Sequence, residues 1–159
     1  MATKTNAVRL VEQAGLPCRE RFYEFDESDL SGTHAAQAIG MPAEQVFKTL
    51  VARGEKTGIN VFCIPVCCEL NLKKAAKAAG DKNMELVAVK ELLGLTGYIR
   101  GGCSPVGMKK QFATVYDDSC LDKPTIMVSG GRIGTQIECA PADLIRLTRG
   151  KTAPITAEG

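Results

Sequence analysis

Phe47-Lys48-Thr49-Leu50-Val51-Ala52 and Ile59-Asn60-Val61-Phe62-Cys63-Ile64-Pro65 are two β-compatible runs separated by Arg53-Gly54-Glu55-Lys56-Thr57-Gly58. Runs of this composition, joined by a short polar connection with glycines, pair as a hairpin, and this one is expected at the centre of a β-sheet. It places Lys48 near the start of its first strand. From spacing alone Lys48 reads equally as a strand-edge lysine in water or as a cation that holds a ligand.

Outward from the hairpin, helices and strands alternate. Residues 3–14 carry Ala7, Val8, Val11 and Ala14 at helical spacing, with Thr5 or Asn6 as cap and Gly15 past the end. Arg21 to Phe25 reads as a strand ended by turn chemistry over residues 28–32. A helix from about Thr33 to Ile39 stops at Gly40, and Pro42 suits the start of a short helical turn. After the hairpin, Asn71 caps a helix to Ala79, with Lys73, Lys74 and Lys77 on a solvated face and Gly80 at its end. Met84 to Val87 is a short strand, and Val89 to Leu93 a helical turn closed by Gly94. Phe112 to Tyr116, Thr125 to Ser129 and Gln136 to Ala140 are further strands, and Pro141 opens a last helix. The pattern predicts a single α+β domain over residues 1–150, with a mixed sheet of about six or seven strands and flanking helices, and a flexible tail over 151–159.

Composition narrows the function. The 159 residues are 45% hydrophobic, 24% charged and 5% aromatic, which fits a globular domain and argues against aromatic base-stacking platforms. A net charge of +2 is far below that of a dedicated nucleic-acid binder. Seven cysteines form no Cys-x-x-Cys pair, and the chain has no apolar run of membrane length. These features predict reduced thiols in a soluble cytoplasmic protein.

Gly97-Tyr98-Ile99-Arg100-Gly101-Gly102-Cys103-Ser104-Pro105-Val106-Gly107-Met108-Lys109-Lys110 has the bent, uncovered backbone of a loop whose amides can approach a ligand. A plain connector is the competing reading. Familiar catalytic patterns fail here. His34, the sole histidine, lies in an expected helix without a partner for a triad. Cys63, Cys67 and Cys68 match no zinc-knuckle spacing and read as small buried thiols, so no metal is expected. Around Ser104 the nucleophile-elbow pattern is broken by Pro105, which lacks an N–H, and the Ser129-Gly130-Gly131 corner satisfies no dinucleotide fingerprint. What remains can bind a phosphate and stabilise an oxyanion, but supplies no strong nucleophile. A substrate bringing its own nucleophile would complete such a site.

Four short motifs in order, Val46-Phe47-Lys48-Thr49-Leu50, the lysine-rich helix from Leu72 to Gly80, the stretch from Thr96-Gly97-Tyr98 to Pro105, and Val128-Ser129-Gly130-Gly131, resemble those of the YbaK family of aminoacyl-tRNA deacylases. The resemblance runs over nearly the whole chain. It implies a sheet curled into a barrel-like core and hydrolysis of cysteine from misacylated tRNA(Pro), in which the substrate thiol attacks the ester. It also implies catalytic roles for Lys48 and Gly101, and a substrate pocket formed by Tyr23, Thr49, Gly102, Cys103, Ser104, Pro105, Ser129, Gly130 and Gln136. No cofactor is implied. The partner is the 3′ end of charged tRNA(Pro), selected by this chain or by a bound prolyl-tRNA synthetase, with no role for membrane or DNA. Three positions depart from the family: Cys103 where isoleucine is frequent, Gln136 where aspartate is frequent, and Ser31 where a bulky apolar residue is usual. They bear on substrate identity, and leave open a deacylase for alanine or another small residue. A non-catalytic module binding tRNA or a synthetase is the alternative from another class, and a hydrolase using the Cys103 thiol ranks lower, since no histidine activates it.

Overall fold

A computed structural model describes residues 4–25, 28 and 31–157. Thr3, part of the turn expected over 28–32, and the last two residues of the expected tail lie outside them. Helix α1 (Asn6–Gln13) starts where the Thr5 hydroxyl accepts the Val8 N–H. Strand β1 (Arg19–Phe22) begins two residues earlier than the aromatic run suggests and ends before Tyr23. Helix α2 (Gly32–Ile39) leads to β2 (Phe47–Gly54) and β3 (Gly58–Pro65), which form the expected hairpin in unbroken register from Phe47–Pro65 to Gly54–Gly58.

Helix α3 (Leu72–Ala79) has the predicted Asn71 and Gly80 caps. Ala75 and Ala76 face the core, Lys73 and Lys77 face solvent, and Lys74 donates to the Thr156 carbonyl. Strand β4 (Met84–Leu86) is followed by α4 (Val89–Thr96). Gly94 does not close this helix. The chain continues another turn because Gly97 takes the left-handed cap at φ 86°, and the Thr96 hydroxyl bonds the Leu92 carbonyl. Strands β5 (Ala113–Asp117), β6 (Ile126–Arg132) and β7 (Thr135–Cys139), helix α5 (Pro141–Thr148) and β8 (Lys151–Ala153) follow, and 3-10 turns at Ala43–Gln45, after Pro42 as expected, and at Asp118–Asp122 complete the described elements.

The strands form two sheets, β4-β2-β3-β5-β8 and β1-β7-β6. The expected single barrel-like curl is therefore not present. Its physical reason lies on the outer edge of β2: β4 pairs only with Ala52 to Gly54, and β6 meets that edge only at the isolated Val46–Met127 bridge, so no ladder carries one sheet into the other. The strand total is eight among the described residues, more than the six or seven expected.

The extra strand lies in the stretch read as a flexible tail. Lys151 to Ala153 pair in parallel with Val115 to Asp117, and Ile155 is fully buried against Ala52, Phe62 and Ile64. An Asp117 carboxylate oxygen accepts the Ile155 N–H at 3.1 Å. One apolar anchor and its capped amide hold an otherwise polar segment in place.

Long-range ties fix the smaller sheet. Cys18 and Cys139, 121 residues apart, form a disulfide across β1 and β7, which corrects the expectation that all thiols are reduced. One turn of pairing away, Arg21 donates to Glu138 at 2.7 Å, and Glu138 also accepts from Thr125 at 2.7 Å. Among the described residues no helix is long and apolar enough to cross a membrane.

Candidate active site

A cleft of about 780 Å³ opens where the edge of β2 is left uncovered. The Val87 N–H donates to the Val51 carbonyl, so Val51 turns its main-chain groups toward this edge. Main-chain direction alternates along a strand, so Thr49 points the same way, at a position that neither β4 nor β6 pairs. The cleft is thus lined by a stretch of strand edge that no other strand pairs among the described residues. Lys48 and Leu50 leave β2 on one face, while Thr49 leaves on the other, with its hydroxyl 3.8 Å from the buried Cys63 sulfur.

The glycine loop divides into two parts. Arg100, Gly101 and Cys103 line the cleft. Gly101 has φ 87°, a left-handed value that suits glycine, and it is the corner of a turn closed by the Gly102 N–H donating to the Ile99 carbonyl at 3.0 Å. That bond spends the Gly102 amide. Gly102 itself is buried, and a Cβ there would lie 3.1 Å from the Arg132 Cα and the Ile133 nitrogen, a tight approach that a side chain could make only if that backbone gave way by a few tenths of an ångström. Ser104 and Pro105 are buried away from the cleft; the Ser104 hydroxyl accepts the Val106 N–H, and the Tyr98 hydroxyl donates to the Val106 carbonyl at 2.7 Å. The second part of the loop is a brace for the first.

On the opposite wall stand Ser129 of β6 and Gln136 of β7, which face each other in register. The Ser129 hydroxyl accepts the Gly131 N–H, while Gly130 packs against Thr135 outside the cleft. Tyr23 lines the entrance, its ring packed edge-on against His34 at 6.3 Å. His34 is a helix-packing residue and does not line the cleft.

The structure therefore gathers Tyr23, Lys48, Thr49, Gly101, Cys103, Ser129 and Gln136 around one cavity, and leaves Gly102, Ser104, Pro105 and Gly130 behind it. The sequence reading assigned no role to Arg100, nor to the apolar wall from Leu86 to Val89 with Leu92. Arg100 lay within the loop that was singled out. The apolar wall carried no signal beyond ordinary strand and helix propensity.

The chemistry of this lining is one-sided. Its charged members among the described residues are Lys48 and Arg100, both cationic, with neither carboxylate nor histidine beside them. Burial pushes the Cys103 thiol up to about 11, partly offset by its bond with Thr96, so the sulfur is protonated at neutral pH. Cys63 is displaced further in the same direction by complete burial. Among the described residues no three His, Cys, Asp or Glu side chains gather to hold a metal. The cleft can hold an anion and stabilise an oxyanion, but its side chains offer no activated nucleophile.

Comparisons with known proteins point the same way. The family model of the aminoacyl-tRNA editing domain matches residues 31–147. A protein of Enterococcus faecalis named "Putative Cys-tRNA(Pro)/Cys-tRNA(Cys) deacylase EbsC" is 47% identical over 155 residues, covering 98% of this chain and 94% of its own. A solved structure described as "a putative trans-editing enzyme for prolyl tRNA synthetase" superposes with a TM-score of 0.82 at 28% identity, covering 99% of this chain and 100% of the other. The hypothetical protein APE2540 shares the fold, with a TM-score of 0.87 at 24% identity over 96% of this chain and 100% of the other. By the length and level of these matches, the chain belongs to the YbaK-type aminoacyl-tRNA editing family.

Proposed function

We propose that the protein removes cysteine from misacylated tRNA(Pro), with the thiol of the substrate as the attacking group. The observation that carries this reading is a cleft with a cation and a glycine corner in which the protein's own thiol, Cys103, is held protonated. The cysteine sulfur of the substrate attacks its ester carbonyl. A C–S bond forms as the C–O bond to the ribose breaks, the thiol proton ends on the ribose oxygen, and water later opens the cyclic thiolactone to free cysteine. Lys48 holds a phosphate or ribose oxygen of the 3′ end, and the Gly101 N–H donates to the developing oxyanion. Tyr23, Thr49, Cys103, Ser129 and Gln136 wall the aminoacyl group. The name of the Enterococcus relative supports cysteine as the amino acid and adds tRNA(Cys) as a second carrier.

The small net charge gives this chain little grip on the body of a tRNA, so a bound prolyl-tRNA synthetase is the proposed source of tRNA selection. Hydrolysis of cysteinyl-, alanyl- and prolyl-tRNA(Pro), measured side by side at catalytic protein concentration, tests the reading. Rapid release of cysteine alone is expected. Equal release of alanine would make this a general small-residue deacylase, and no release from any of the three would leave a binding module.

A further inference from the structure

Two edge strands close their sheets by pairing with distant parts of the chain, and they are held differently. Strand β8 is followed by a buried anchor, Ile155. Strand β1 has none: no residue from Arg19 to Phe22 is buried, and Phe22 is 69% exposed. It pairs with β7 alone, over four residues, as an outer strand of its sheet. One side-chain tie, Arg21 to Glu138, is a part-exposed ion pair of the kind that contributes little by itself. An edge strand with so few buried contacts opens locally at small cost.

The Cys18–Cys139 disulfide stands at the outer end of this pairing. Arg19 lies opposite Glu138, so Cys18 falls opposite Cys139 one position further out. Upstream the chain is secured independently, because Ala7, Val8 and Val11 of α1 are in the core and the Leu16 N–H donates to the Val11 carbonyl. Downstream, Tyr23 follows β1 directly. Its N–H donates to the Gly134 carbonyl at 3.0 Å, and it lines the cleft. The covalent bond thus clamps a strand that has no apolar anchor and that delivers a residue to the site. Cys139 is fully buried and Cys18 is the half-exposed member of the pair, while the other five cysteines are free.

We propose that the Cys18–Cys139 bond is a redox latch: a dithiol reductant opens it, β1 loosens from β7, and Tyr23 is no longer held at the cleft, so the thiol–disulfide balance around the protein sets how well substrate is bound. A thiolate of the reductant attacks the Cys18 sulfur, the S–S bond breaks, and Cys139 leaves and takes a proton. The second thiol of the reductant then attacks the mixed disulfide, freeing Cys18 as a thiol and closing the reductant's own disulfide. Two electrons and two protons pass to the protein. The effect on substrate rests on the deacylase reading above; the release of β1 does not.

The test compares the folded protein before and after treatment with dithiothreitol, which is removed without air before measurement, with free thiols counted as a check on the bond. Opening should raise amide exchange over residues 19–23 by at least about tenfold and leave β2 and β3 unchanged. It should lower kcat/KM for cysteinyl-tRNA(Pro) by about tenfold, chiefly through KM. Cys18→Ser should match the reduced protein and respond to no reductant. A bond that the dithiol cannot open in the folded protein, or equal exchange at 19–23 in the two states, would overturn the proposal even if the serine variant fails to fold. A redox response that persists in Cys18→Ser would place it on other thiols, such as Cys67 and Cys68 with sulfurs 3.9 Å apart, and would also overturn it. If neither state cleaves the substrate, the deacylase reading has failed, and the exchange data alone decide whether the latch exists.

Discussion

The two sheets that meet at the cleft contribute to it in opposite ways. The five-stranded sheet offers a cation and an unpaired stretch of strand edge on β2, both produced by a hairpin whose partners are neighbours in sequence. The three-stranded sheet offers the neutral Ser129 and Gln136, held by strands whose outermost pairing joins Arg19–Phe22 to Thr135–Cys139. Both walls start from a local hairpin, β2–β3 and β6–β7, but the three-stranded sheet adds an edge strand, β1, whose pairing closes a loop of more than a hundred residues. Of the cations that line the cleft among the described residues, Lys48 stands on the five-stranded sheet and Arg100 on the glycine loop, while the three-stranded sheet contributes neutral groups.

If Lys48 carries the charged side of this comparison, Lys48→Ala should lower kcat/KM for cysteinyl-tRNA(Pro) by about 100- to 1000-fold. Its melting temperature should stay unchanged, since a half-exposed strand lysine contributes little to stability. Gly101→Ala, which forces an alanine to φ 87°, should cut turnover by roughly tenfold and be readable in single-turnover assays. Normal rates from either variant would remove that residue from the chemistry.

The other wall should respond in stability first. Reducing the Cys18–Cys139 disulfide frees a 121-residue loop, and in the chain-entropy picture this costs about 5 kcal/mol of unfolding free energy. A denaturant titration with and without a thiol reductant measures it, and the midpoint should fall while β2 and β3 keep the greater amide-exchange protection. Uniform loss of protection across both sheets would mean that the two walls stand or fall together.

A smaller effect is expected from the carboxylate between β1, β6 and β7. Donation from Thr125, aided by that from Arg21, holds Glu138 below its ordinary value of about 4.5, against an opposing effect of burial that outweighs the Arg21 bond taken alone. A lowered carboxylate value stabilises the fold above the unfolded value, and the contribution fades as pH falls through the folded one. Glu138→Gln should therefore cost about 1–2 kcal/mol near pH 7 and flatten the loss of stability below pH 4.5. Parallel pH profiles for the variant and the parent protein would show that this carboxylate carries no stability.

How much of this was legible in the sequence follows from distance along the chain. The β2–β3 hairpin, the Thr5, Asn71 and Gly80 caps and the glycine corner are each decided by residues a few positions apart, so pattern and propensity suffice. Gly94 misled because helix α4 had a better stop three residues on, at Gly97, and packing outweighed one glycine. Strand β8 was hidden because its anchor is a lone apolar residue, Ile155, in a polar segment, and its partner β5 is far upstream. The Cys18–Cys139 bond and the open edge of β2 depend on tertiary pairing, which spacing does not encode. The resemblance also placed Gly102, Ser104, Pro105 and Gly130 in the pocket, but they do not line the cleft: the Gly102 amide and the Ser104 hydroxyl are spent within the loop, and Gly130 packs against Thr135.

The most direct test of the account is the release of amino acid from cysteinyl-tRNA(Pro) whose thiol has been alkylated, measured against the free-thiol substrate with both the intact protein and Cys103→Ala. The account predicts that alkylation nearly abolishes release by the intact protein, and that Cys103→Ala cleaves the free-thiol substrate within about threefold of the intact rate, because the sulfur that attacks belongs to the substrate. Rapid cleavage of the alkylated substrate, together with an inactive but folded Cys103→Ala protein, would place the nucleophile in the protein and contradict it.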